Sequence, residues 1–343
     1  MFNGCYTALI TPMLKNHEVD FKGLETLVEF QISQKVSGIL AVGTTGESAT
    51  LDPEEHLTVI KKIYEYTNHR TTIIAGTGSN STREAMEYTR KAYDIGARTV
   101  LLVDPYYNGP SSLEIRREYI TPLAQKFPDV QIIPYVIPGR TGTQLLPQDI
   151  AILHQQFSNI KAVKEATGDF ENMKLTRRLC GNNFDILSGD DDKTFRMMTD
   201  LEIAASGVIS VISNITPAAI QEMTTLILNG KVEEARKICD KLSPLFQIVT
   251  VKTTEETPLG NVTVKARNPL PCKTLMNILG MASGPLRQPL GKMTGKGLET
   301  ILKAAREVYE KNPEILKPVE EFFGVNLSER LYNAKFWEGL AYD

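Results

Sequence analysis

One lysine in this chain stands where an amine could act as a nucleophile. The segment Asn159-Ile160-Lys161-Ala162-Val163-Lys164-Glu165-Ala166 reads as a buried strand. Alternation puts Ile160, Ala162 and Lys164 on one face, and Lys161, Val163 and Glu165 on the other. Lys164 thus shares its face with small apolar groups. Desolvation lowers a lysine pKa, and a neutral amine attacks a carbonyl carbon. The competing reading is a lysine that snorkels to solvent or pairs with Glu165.

Other segments hold groups that suit such a nucleophile. Gly43-Thr44-Thr45-Gly46-Glu47 offers two hydroxyls and several loop N–H groups to a small carboxylate or phosphate. Tyr135-Val136-Ile137-Pro138-Gly139-Arg140-Thr141-Gly142 sets an arginine in a turn, either as a bidentate carboxylate holder or as a surface residue. Asp104-Pro105-Tyr106-Tyr107-Asn108 carries two tyrosines, proton carriers or interface residues. Ser188-Gly189-Asp190-Asp191-Asp192 has three adjacent acids; a helix N-terminus explains them better than a hard cation does. A lysine, tyrosines, paired threonines and an arginine together suit Schiff-base chemistry on an α-keto acid.

These segments recur at the ends of regular units. Apolar runs at 5–10, 38–42, 72–75, 99–103, 130–136, 160–164, 184–187 and 204–211 read as strands buried on both faces. Between them lie helix starts: Asp20, Asp52-Pro53-Glu54-Glu55, Ser81 with Glu84, Ser111 with Glu114, Pro147 and Pro217. Eight such units predict an α/β fold, a (β/α)8 TIM barrel over 1–230, rather than an open doubly wound sheet. A barrel brings the C-terminal strand ends, and so all these groups, to one face. A C-terminal helical region is expected over 231–300, with a β-hairpin inserted near 248–266 around Pro258-Leu259-Gly260-Asn261. A helical C-terminal extension, 301–343, carries Phe322, Phe323, Tyr332, Phe336, Trp337 and Tyr342, which should pack on the barrel or on a neighbouring subunit.

Composition narrows the rest. The 343 residues include 38 Lys plus Arg and 41 Asp plus Glu, a formal charge of −3, so nucleic acid is not expected as a partner. No apolar run is long enough to span a membrane, and no signal peptide is visible. Cys5, Cys180, Cys239 and Cys272 are scattered, which suits reduced thiols and a cytoplasmic location. The four histidines form no metal-binding motif, so no metal site is expected.

Taken in order, Gly43-Thr44-Thr45-Gly46-Glu47-Ser48, Tyr106-Tyr107-Asn108, Tyr135, Arg140-Thr141-Gly142, Lys164-Glu165-Ala166-Thr167-Gly168, Gly207-Val208-Ile209-Ser210 and Asn268-Pro269-Leu270-Pro271 resemble the dihydrodipicolinate synthase family. That family of 4-hydroxy-tetrahydrodipicolinate synthases lies in the class I pyruvate aldolase superfamily, with N-acetylneuraminate lyase. The resemblance covers about 1–300. It implies that Lys164 forms a Schiff base with pyruvate and that Thr44 and Thr45 hold the pyruvate carboxylate, near Gly189 and the Ile209 carbonyl. It implies that Tyr135 shuttles protons, linked through Thr45 to a Tyr107 donated by a neighbouring subunit. Arg140 would bind the carboxylate of aspartate 4-semialdehyde; Arg-Thr-Gly at this point is typical of the synthases and not of the sialic acid lyases. No metal or organic cofactor is implied. A homotetramer built as a dimer of dimers is.

The resemblance also implies a feedback site for lysine at Ser48, Ala49, His56, Asn80, Glu84 and Tyr106. The alternative for these residues is ordinary dimer packing. Pro53 stands where many lysine-sensitive members have histidine, and Val136, Gly139 and Asp104 replace a common asparagine, serine and Thr or Ser. Two other functions fit the same residues: a sister aldolase using another aldehyde, and a keto-acid-binding paralogue without turnover.

Overall fold

Each predicted apolar run becomes a strand. The computed structural model describes residues 2–342. The strands are β1 (Gly4–Ala8), β2 (Gly38–Ala41), β3 (Thr72–Gly76), β4 (Thr99–Val103), β5 (Gln131–Val136), β6 (Ala162–Glu165), β7 (Asp185–Ser188) and β8 (Gly207–Ser210). All pair in parallel and in chain order, and β8 returns to β1 to close the barrel. The seam needs glycine: a Cβ on Gly207 would lie 2.1 Å from the Gly4 carbonyl oxygen and force β1 away from β8.

Alternation divides the buried residues into two layers. Tyr6, Leu40, Leu101, Ile133, Leu187 and Ile209 fill the lumen. The other strand face packs on the helices, with Phe30, Val163, Ile186 and Val208 among the residues of that larger core. Each large aliphatic side chain fully buried this way contributes about 1.5–3 kcal/mol. In β6, Ala162 and Val163 take opposite faces, as the alternation requires. Ile160 departs from expectation: β6 begins at Ala162, so Ile160 precedes the strand and packs in the outer layer.

The helix starts follow their capping chemistry. Asp20 accepts from Gly23 N, and Asp52 closes a capping box with Glu55, with Pro53 as the first helical residue. Ser111 and Glu114 close another, and Pro147 and Pro217 open helices Pro147–Gln156 and Pro217–Leu228. The Ser81 box forms by half. Its hydroxyl accepts from Glu84 N, but the Glu84 carboxylate turns to the Ser79 hydroxyl at 2.6 Å. The acid run after β7 opens the 3-10 turn Asp191–Lys193 and helix Thr194–Thr199, as the helix reading expects. Asp191 caps no helix of its own; it accepts from the Ser210 hydroxyl, Val211 N and Ile212 N, tying β7 to the end of β8.

Beyond the barrel the hairpin is present at about the expected bounds. Strands β9 (Thr250–Thr257) and β10 (Gly260–Arg267) pair antiparallel, with Lys265 opposite Lys252. Helices Leu270–Leu279 and Gly295–Lys311 follow, then the shorter Lys317–Phe323 and Leu327–Tyr332. The extension packs on its own barrel. Phe322 and Phe323 each stand 5.1 Å from Phe30, on helix Phe21–Ser33, and Arg330 Nε donates to the Ile278 carbonyl at 2.7 Å. The four cysteines are free, and no helix among the described residues is long and apolar enough to cross a membrane.

Candidate active site

Lys164 and Tyr135 are paired neighbours on adjacent strands, both near the C-terminal end. Lys164 is 5 % exposed, and its Nζ lies 4.1 Å from the centre of the Tyr135 ring. Burial lowers its pKa to about 7, while Asp190 and Asp191 pull the other way without restoring the ordinary value. Lys164 is thus an amine largely stripped of water, not a lysine snorkelling to solvent. It is not paired with Glu165 either. The Glu165 carboxylate faces away, accepting from Thr167 N at 2.7 Å and Asn172 Nδ2 at 3.1 Å. Gly189 makes room beside the amine, since a Cβ there would meet Lys164 Cε at 3.1 Å and Ala166 Cβ at 2.8 Å.

Tyr135 is buried, and desolvation pushes its phenol well above the usual range. It therefore holds its proton at neutral pH. The hydroxyl that interacts with it is Thr44's. Thr45 Oγ1 accepts from Asn268 Nδ2 at 3.0 Å. The threonines leave β2 on a loop where residue-by-residue alternation no longer applies.

Lys164, Tyr135, Thr44, Thr45, Gly189 and Arg140 line one cavity of about 240 Å³. Arg140 stands at its rim, with Nη2 donating to the Asn268 carbonyl at 2.9 Å. Ile209 is buried in the lumen packing, and Val211 is the residue that follows β8 into the cavity wall. Tyr107 does not join them. It has a φ of +81° and is 91 % exposed, turned outward from the barrel mouth.

Four residues on this wall have no site role assigned from the sequence. Asp190 faces Lys164 and Arg140, with its pKa raised by burial. Asn268 binds Thr45 and leaves its own Oδ1 buried without a partner, an acceptor free for a ligand. Lys265 and Arg267 come from the hairpin. Alternation along β10 could have put those two on one face, but not at this mouth. Among the described residues no three His, Cys, Asp or Glu side chains form a metal-binding group.

The expected lysine-site residues lie near one another without all lining one cavity. Ser48, Ala49 and Tyr106 line a second cavity of about 450 Å³ that also touches Thr44 and Arg140. Glu84 and Asn80 lie nearby at the surface, both reached by the Ser79 hydroxyl. His56 is buried instead: its Nε2 meets the Gly76 carbonyl at 2.7 Å and its ring stacks on Tyr88. Its place is in the packing beneath the site.

The dihydrodipicolinate synthetase family model matches residues 1–308. The 4-hydroxy-tetrahydrodipicolinate synthase of Geobacter metallireducens is 41% identical over 307 residues, covering 90% of this chain and 99% of that one. A dihydrodipicolinate synthase from Acinetobacter baumannii, solved with pyruvate, is 35% identical with a TM-score of 0.81, covering 90% of this chain and 99% of that one. One from Cyanidioschyzon merolae, solved with lysine bound, is 32% identical with a TM-score of 0.81, covering 90% and 98%.

The Thr44-Thr45 loop is held by a buried ion pair. Lys273 Nζ donates to Glu47 Oε1 at 2.6 Å, to the Thr11 carbonyl at 3.0 Å and to the Pro285 carbonyl at 2.9 Å. Glu47 Oε2 accepts from Arg287 N at 2.9 Å, and both side chains of the pair are 0% exposed. Removing one partner strands the other charge. Lys273→Met should lower stability by about 3–5 kcal/mol, read as a lower urea midpoint. Adding Glu47→Leu should recover most of that loss. An unchanged midpoint in Lys273→Met would show that the pair holds nothing.

Proposed function

The chain belongs to the dihydrodipicolinate synthetase family, and on that premise we propose that Lys164 is the amine through which it works. The reaction is the condensation of pyruvate with L-aspartate 4-semialdehyde to 4-hydroxy-tetrahydrodipicolinate, the first committed step toward diaminopimelate and lysine. The observation that carries this reading is the desolvated Lys164 amine beside the Tyr135 phenol.

Neutral Lys164 attacks the pyruvate carbonyl, water leaves, and an iminium forms. The iminium gives up a methyl proton and becomes an enamine. The enamine carbon attacks the aldehyde, whose oxygen takes a proton. The substrate's own amine then displaces Lys164 as the ring closes. Tyr135 is the proton carrier, with Thr44 as its partner in this chain. Thr44 and Thr45 hold the pyruvate carboxylate, and Arg140 takes that of the aldehyde. Gly189 and the strand carrying Ile209 leave room for the keto acid. The imine on Lys164 itself draws off electrons, so the scheme uses no cofactor.

Tyr107, so exposed here, suits donation to the site of another copy. A homo-oligomer, assembled as a tetramer from two dimers, would supply it. The four free thiols suit a cytoplasmic enzyme.

Two experiments test the reading. Lys164→Ala should lose condensation and should no longer gain a pyruvate adduct on borohydride reduction, seen by mass spectrometry. Tyr135→Phe should keep the adduct and lose about 100-fold in kcat. An adduct that survives in Lys164→Ala would refute the assignment. No condensation by the parent enzyme, with the adduct intact, would move the search to other aldehydes.

Lysine is the proposed inhibitor. Glu84 would face its ammonium, and Ser48, Ala49, Asn80 and Tyr106 would hold the rest; His56 would act from beneath, through packing. Saturating lysine should slow condensation and give binding heat, and Glu84→Ala should abolish both while leaving the uninhibited rate intact. An unchanged rate with no heat would remove the site.

A further inference from the structure

The inserted hairpin brings a cluster of cations to the active-site mouth. Lys265 and Arg267 line the same cavity as Lys164, Tyr135 and Arg140. They share one face of β10, and register puts Lys252 of β9 directly opposite Lys265. Like charges facing across a ladder destabilise it. The surroundings of Lys265 add to the repulsion: Arg267, Lys252 and Arg140 all disfavour its charge, and no acid offsets them. The hairpin's acids lie elsewhere. Glu255 projects from the opposite face, toward Lys296 at 4.0 Å, and Glu256 shares the lysine face but sits four residues beyond Lys252, near the tip. Asp190 is the carboxylate in the cavity wall, and it sits by Lys164 and Arg140.

The hairpin is also latched to the arginine turn. Arg267 Nη1 donates to the Gly139 carbonyl at 3.0 Å, and Arg140 Nη2 donates to the Asn268 carbonyl at 2.9 Å. Each segment lends an arginine to the other's main chain. The outer face of the hairpin is fixed as well, through Thr253 Oγ1 to Thr294 Oγ1 at 3.2 Å and Lys296 Nζ to the Thr254 carbonyl at 2.7 Å. A clamped ribbon therefore holds Lys265 in the cavity wall with Lys252 beside it, both exposed to solvent.

We propose that the β9–β10 hairpin is a wall of the active site, and that Lys265 with Lys252 forms an entry subsite for the carboxylate of the incoming amino-acid aldehyde, ahead of Arg140. Arg267 is a positioning residue that sets the Arg140 turn. This rests on the function proposed above. The amino-acid aldehyde carries an ammonium as well as a carboxylate and has no net charge, so the lysines act on its carboxylate by direct contact rather than by drawing it from a distance, and salt screens that contact. The subsite acts on binding rather than on bond making. It touches KM and leaves kcat alone.

The test compares the full-length enzyme with Lys252→Gln/Lys265→Gln. Both positions are exposed and the change removes a repulsion, so folding is not at risk. KM for the aldehyde should rise about tenfold at low ionic strength, the loss of one charge-assisted contact. Its dependence on salt should flatten, while kcat stays within about twofold. Lys265→Glu should raise KM further. Borohydride capture at saturating pyruvate should be as in the parent, showing that Lys164 is intact. A double variant with the parent's KM and salt dependence overturns the subsite alone. A parent enzyme that neither captures pyruvate nor condenses it overturns the function beneath it.

Discussion

The proposed chemistry depends on keeping one amine out of water. An ammonium is costly to bury, and the protein resolves the cost by letting Lys164 shed its proton near neutrality. The acids around it set the limit. Asp190 and Asp191 are close enough to favour the charged form, and a stronger pairing would hold the proton in place. Asp191 is diverted to the hydroxyl of Ser210 and the N–H groups of Val211 and Ile212. Glu165, next in sequence, faces the other side of the strand and spends its lone pairs on Thr167 and Asn172. Its pKa is raised to about 7 by burial, which further softens its field. The amine is left with an aromatic face and a cavity.

Around that amine the barrel acts as a rigid mount. Strand pairing sets Tyr135 beside Lys164, and a glycine at 189 leaves space for a carbonyl to approach. The threonine loop is less regular, with Val42 and Glu47 both at positive φ. Such a backbone persists only when its surroundings over-determine it. Here the Lys273–Glu47 pair and the bond from Thr11 Oγ1 to the Gly46 carbonyl, at 2.7 Å, do so. A buried ion pair is poor value as a source of stability but good at fixing one arrangement of a loop.

The strands were legible because parallel barrel strands are apolar on both faces, and Lys164 is conspicuous in such a run. Its orientation followed from period-two alternation. Where that regularity stopped, so did the reading. Ile160 was assigned a face before its strand had begun. Thr44 and Thr45 are adjacent in a loop, and nothing in their spacing says which hydroxyl meets Tyr135. His56 reads as polar, yet a main-chain carbonyl and a tyrosine ring claim it in the fold. The hairpin was visible as a hairpin. Its position over the mouth arises from tertiary contacts with Gly139 and Thr294, which alternation does not encode. The departure at Asp104 has a local role: its Oδ2 accepts from Leu145 N at 2.9 Å, and burial pushes its pKa up to about 8.

The pH dependence of pyruvate capture tests the central claim most directly. Only the neutral amine attacks, so the rate of borohydride-trapped adduct formation at Lys164 should rise with pH through about 7 and then level. A rate still climbing toward pH 10, as for an ordinary lysine, would contradict the account.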